Sequence, residues 1–112
     1  MTMDEYQARA QRTSRTDLSP MDHVMNGLLG LAGESGECCD VVKKSLFQDN
    51  REIRDKLVDE LGDVLWYVQE TAHGLGVSLE TVASYNIEKL RRRYPQGFDA
   101  DRSLHREGES NG

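Results

Sequence analysis

Few residues in this chain belong to the types that build disulfide frameworks, barrels or membrane spans. Among 112 residues there are two cysteines and two prolines, and aromatic residues make up 6%. The cysteines, Cys38 and Cys39, are adjacent, a spacing that gives neither a metal-ligand pattern nor a disulfide framework. No apolar run is long enough to cross a membrane. The opening Met1-Thr2-Met3-Asp4-Glu5 lacks the basic segment and apolar stretch of a signal peptide. Together these absences predict a protein of the reducing cytoplasm with no membrane partner. There is no glycine-rich phosphate loop ending in GKS or GKT, and no nucleophile elbow. Positive charge is also in deficit. The formal net charge is -6, and an acidic surface repels a phosphate backbone, which disfavours binding to bulk nucleic acid.

What is present is charge and helical periodicity. Hydrophobic residues are 37% and charged residues 30%, the balance of one soluble helical domain with a modest core. Thr2 and Glu5 form a capping-box pattern that opens a short helix to about Arg12. Thr13 to Ser19 reads as a linker. Ser19 then caps a second helix, with Pro20 at its first position, running from about 20 to 46. Glycines at 27, 30, 33 and 36 weaken it, so close helix packing or a bend must compensate. Gln48 to Arg51 reads as a turn, with Asp49 and Glu52 as a second capping box. A third helix runs from about 52 to 74 and ends at Gly74 and Gly76. Ser78 caps a fourth, about 79 to 93, with Leu79, Val82, Ala83, Ile87 and Leu90 facing inward, and Pro95 closes it. Pro95 to Phe98 is a turn that brings Phe98 back onto the bundle.

The fold class predicted is therefore all-α: an antiparallel bundle of about four helices, completed by oligomerisation. A chain this short with two broad apolar stripes needs a second copy to cover them, as a homodimer or homotetramer. One domain is expected over residues 1–98, with its core at 20–98, followed by a polar tail at 99–112.

Two stretches stand out inside the long helices. Gly33-Glu34-Ser35-Gly36-Glu37 and Asp59-Glu60-Leu61-Gly62-Asp63 each hold two acids three residues apart. That spacing puts both on one helical face. At about 100° per residue, Val24, Leu31, Cys38 and Val42 share the apolar side beside Glu34. Leu57, Leu61, Val64 and Val68 do the same beside Glu60. Each first glutamate borders the core, and each second acid lies further out. In an antiparallel hairpin the four carboxylates meet. Their mutual repulsion is relieved by a hard cation such as Mg²⁺, which takes oxygen ligands and is shared with substrate phosphates. Spacing alone also allows ordinary solvated helix surface.

Other residues could serve the same chemistry. Lys89, Arg91, Arg92 and Arg93 form a basic run at the end of the fourth helix, suited to phosphate or to the helix dipole. Asn86 lies on the face of Lys89. Tyr67 and Trp66 follow Asp63 and could stack on a base or meet a sugar. Lys43 and Lys44 could soften the charge of Glu37, and Asp40 or Asp59 could act as outer ligands. Glu70 and His73 form a single ExxH. A helical di-iron site needs two, so that reading is set aside.

These motifs in this order resemble the MazG-like, all-alpha nucleoside triphosphate pyrophosphohydrolases. The resemblance covers about residues 20–98 and rests on Gly30 to Glu37, Glu60 to Tyr67, Asn86 to Leu90 and Arg93-Tyr94-Pro95-Gln96-Gly97-Phe98. It implies hydrolysis of a (deoxy)nucleoside triphosphate to the monophosphate and pyrophosphate. It also implies Mg²⁺, with Mn²⁺ as a substitute, held by Glu34, Glu37, Glu60 and Asp63, and Glu34 or Glu37 as the general base. Asn86, Lys89, Arg92 and Arg93 would hold phosphates; Tyr67 and Trp66 would meet the base or sugar. The family pattern often has two adjacent glutamates where this chain has Gly33 and Glu34, which leaves the number of metal ions open. The competing reading is a non-catalytic helical oligomer that binds nucleotide or metal, or scaffolds a partner.

Overall fold

The computed structural model describes residues 1–46, 53–98 and Ala100. Four helices follow in order: α1 Met3–Gln11, α2 Pro20–Ser45, α3 Ile53–Gly74 and α4 Leu79–Arg93. No strand forms among the described residues; one isolated bridge joins Pro95 and Gly97. The chain forms two compact units, Met1–Leu79 and Glu80–Gly112. The expected turn at 48–51, the Asp49–Glu52 capping box and the tail from 101 onward lie outside the described residues.

The caps act as the sequence predicts. Thr2 Oγ1 accepts from Glu5 N at 3.1 Å, and Ser19 Oγ accepts from Asp22 N at 3.1 Å with Pro20 beside it. These bonds satisfy donors that the first turn leaves open. At the end of α3, Gly76 takes φ 73°. Val77 N donates to Ala72 O and Gly76 N to His73 O, both at 3.0 Å. This is the Schellman arrangement, and its left-handed residue favours glycine.

The first unit is built on the α2–α3 hairpin. Two of the puzzling α2 glycines are explained by close packing. A Cβ on Gly27 would stand 2.8 Å from the Thr71 backbone nitrogen, and one on Gly30 would run into the Tyr67 ring. Gly74 plays the same part on α3, where a Cβ would stand 2.7 Å from Pro20 O. The contacts Pro20–Gly74, Gly27–Thr71 and Gly30–Tyr67 step antiparallel along the pair. Gly33 and Gly36 face open space.

The apolar stripes are only partly covered. Val24, Leu31, Cys38, Leu57, Val64 and Val68 are half-buried. Leu61, expected inside, is 57% exposed, as are Met25 and Leu28 to a similar degree. On α4, Leu79 is buried, but Val82, Ile87 and Leu90 are exposed. Phe98 is exposed too and stacks on Tyr94, with ring centroids 5.8 Å apart. The periodicity marks each apolar face correctly but does not say that a neighbour within this chain covers it.

Candidate metal centre

The antiparallel register continues one step beyond Gly30–Tyr67 and brings the acids together. Glu34, Glu60 and Asp63 each offer a carboxylate oxygen, and these oxygens lie within 4.8 Å of one another. Glu34 and Glu60 are half-buried and Asp63 is exposed. Burial raises the pKa of Glu60, and so do a hydrogen bond shared with Glu34 and the charges of Glu34, Asp63 and Glu37. The same crowding reaches Cys38, whose thiol is pushed up by burial and then by Glu60. Burial comes first in both cases, and the proximity of like charges adds to it. The donor set is all-oxygen and anionic, which suits a hard divalent cation.

Glu37 does not join this group. It is exposed and acts on Glu60 as the weakest of the neighbouring charges. Three residues fall about 60° short of a full helical turn. On α3 that offset keeps Asp63 with the cluster; on α2 it carries Glu37 out of it. Asp40 is taken by Lys44 in an ion pair at 3.1 Å, so Lys44 answers Asp40 and not Glu37.

A cleft of about 320 Å³ opens beside the acids, lined by Glu34, Asp63, Trp66 and Tyr67. The two rings meet edge to face, 5.1 Å apart at 81°. The Tyr67 ring is held against Gly30, where only a glycine leaves room for it. Trp66 Nε1 donates to Thr13 Oγ1 at 2.8 Å. Tyr6 of α1 also feels the site: burial raises its pKa, and the charge of Asp63 adds to this. Tyr6 and Thr13 carry no motif. Nothing in their spacing marks them, because both reach the site through tertiary contact.

Glu70 and His73, set aside above as a single ExxH, belong to a second polar cluster. Glu70 is fully buried on α3. Its Oε1 accepts from Gln11 Nε2 at 3.0 Å and Ser14 Oγ at 2.8 Å. Its Oε2 accepts from His23 Nδ1 and Asn26 Nδ2, each at 3.1 Å. Burial pushes its pKa up, but the bonds from Gln11, Ser14, His23 and Asn26 outweigh it and hold the carboxyl at about 2. An ionised carboxylate only accepts, so His23 carries its proton on Nδ1. His73 stands edge-on to His23, with ring centroids 5.1 Å apart. Gln11 also donates to the buried Gln69 at 2.8 Å. This cluster fastens α1, the segment after it and α2 to α3.

The basic run belongs to the second unit. Asn86, Lys89 and Arg92 line one depression on α4, together with Val82, Tyr85 and Glu88. Lys89 and Arg93 are half-buried, and Asn86 and Arg92 exposed. Arg91 pairs with Glu88 at 3.8 Å.

An all-helical chain with three converging carboxylates beside an aromatic cleft defines the class. Residues 24–98 match the MazG nucleotide pyrophosphohydrolase domain, and the chain belongs to that family. It is 38% identical over 105 residues to the Gene 37 protein of Mycobacterium phage L5, covering 87% of this chain and 92% of that protein. No solved structure gives a significant match.

Proposed function

We propose that this chain hydrolyses a (deoxy)nucleoside triphosphate to the monophosphate and pyrophosphate in nucleotide-pool housekeeping. The observation that carries this reading is the convergence of Glu34, Glu60 and Asp63 at a cleft walled by Trp66 and Tyr67. Family membership supports the same chemistry. The catalytic domain spans residues 1–98, with its core at 20–98, and the tail 99–112 lies outside it. The protein is cytoplasmic. No described helix is long and apolar enough to cross a membrane, and Cys38 and Cys39 are free thiols.

In this reading Glu34, Glu60 and Asp63 would hold Mg²⁺, or Mn²⁺ in its place, which when bound would supply positive charge to offset that of the triphosphate. Glu37 stands outside that group, which favours it over Glu34 as the general base that takes a proton from the attacking water. Water adds at the α-phosphorus, the bridging oxygen departs with pyrophosphate, and the water's proton passes to Glu37. Asn86, Lys89, Arg92 and Arg93 hold phosphate oxygens, and Trp66 and Tyr67 hold the base or sugar. The working form is a homodimer or homotetramer, which the exposed apolar positions of α2 and α3 favour.

Incubating the purified protein with Mg²⁺ and a panel of ribo- and deoxyribonucleoside triphosphates tests this. Paired release of monophosphate and pyrophosphate is expected. Orthophosphate release would place the chain in another phosphatase class. Binding without turnover would favour the non-catalytic reading, to which the exposed Glu37 and Gly33 would then point.

A further inference from the structure

The segment after α1 touches the cleft at one point, and the chemistry of that contact is specific. Thr13 Oγ1 donates to Ala10 O at 2.7 Å, which uses the one hydroxyl proton. Thr13 N donates to the same carbonyl at 3.0 Å. The hydroxyl is thus fixed with a lone pair available, and Trp66 Nε1–H donates to it at 2.8 Å. The next residue, Ser14, is tied to Glu70. Glu70 lies one helical turn after Trp66, so two adjacent residues of this segment are anchored along one face of α3.

The indole N–H is the only polar atom of a tryptophan side chain. Thr13 occupies it. What Trp66 can still offer to the cleft is its apolar ring face. We infer that Thr13 is a positioning residue: it holds Trp66 as a stacking wall, which takes a nucleobase by its π-face and not by a hydrogen bond. This deepens the proposed function and rests on it. Every base has a π-face, so this wall accepts purines and pyrimidines alike. Discrimination among bases must come from other residues.

Trp66 is the one tryptophan in the chain, so selectively excited tryptophan fluorescence and the indole N–H resonance each report on this site alone. In the unmodified protein with Mg²⁺, α,β-imido analogues carrying a purine or a pyrimidine are expected to quench the fluorescence. Inorganic triphosphate is not. The indole N–H should exchange slowly with solvent, with or without analogue. For Thr13→Val, which keeps the shape but removes the acceptor, KM is expected to rise about five- to tenfold with kcat changed less than about twofold. The emission spectrum should shift as well, and Thr13→Ser should restore both. A freely exchanging indole N–H in the unmodified protein would overturn the inference whether or not Thr13→Val folds. So would a Thr13→Val enzyme with unchanged KM and emission. A protein that turns over nothing and shows no quenching would instead remove the proposed function, and this inference with it.

Discussion

Glu70 collects hydrogen bonds from four side chains that lie 44 to 59 residues away in sequence. Its carboxyl is held at about 2, below the ordinary 4.5. A folded-state pKa below the unfolded one adds stability above about pH 4.5, and that stability is lost as pH falls towards 2. Glu70→Gln puts an amide donor among four donors, and a cost of about 3 kcal/mol at pH 7 is expected. Urea melts of both proteins from pH 7 to 2.5 check this: the gap should narrow steadily once the pH falls below about 4.5. A gap that stayed constant with pH would mean that Glu70 acts by shape alone. At the acid cluster the expectation is the reverse. Glu60→Ala removes one of three crowded acids, one whose pKa is raised by burial and by its neighbours. Pyrophosphate release should fall at least about 100-fold, while helical circular dichroism and melting temperature hold or rise. Retained turnover would take Glu60 out of the reaction.

At the scale of helices, each glycine of α2 has its own account. Gly27 and Gly30 mark where α3 comes closest, whereas Gly33 and Gly36 face open space. Helical alanine is favoured over glycine by about 1 kcal/mol where nothing obstructs it. Gly36→Ala should therefore stabilise by roughly that amount. Gly27→Ala should destabilise by about 2 kcal/mol or more, since the clash is with the Thr71 hydroxyl and also with the Thr71 backbone, which cannot swing aside. Chemical denaturation of the two variants side by side decides it, and equal effects would undo the packing account. The helix ends were readable because their signals are local: Thr2, Ser19-Pro20 and Gly76 act within a few residues of themselves. The meeting of Glu34 with Glu60 and Asp63 was readable because a short connection forces an antiparallel pair. Glu37 was not separable from its partner, because spacing fixes a face but not which way the second acid turns relative to the neighbouring helix. Gln11, Thr13 and Ser14 left no trace at all. A linker of polar residues reads the same whether its side chains meet water or a buried glutamate.

For the molecule as a whole, the apolar surface that α2 and α3 leave open is patterned. Met21, Met25, Leu28 and Leu29 recur at i, i+4, i+7 and i+8, and Val58, Leu61 and Leu65 at i, i+3 and i+7. All seven are exposed. That recurrence builds a helical face, not scattered surface residues. The buried hydrophobic side chains among the described residues are Ala10, Ala72 and Leu79, and the other buried side chains are His23, Gln69 and Glu70. An interior so small and so polar gives a lone chain little hydrophobic stabilisation, so a second copy is expected on the open face. Leu28→Glu tests this away from the acids. In a two-fold assembly the substitution appears twice, and losing about 2 kcal/mol of burial per leucine weakens association roughly 1000-fold. Light scattering across a dilution series should show the unmodified protein as a dimer or tetramer and Leu28→Glu shifted towards monomer, with helical content kept. An unmodified protein that runs as a folded monomer at every concentration would mean that this face serves something other than its own copy.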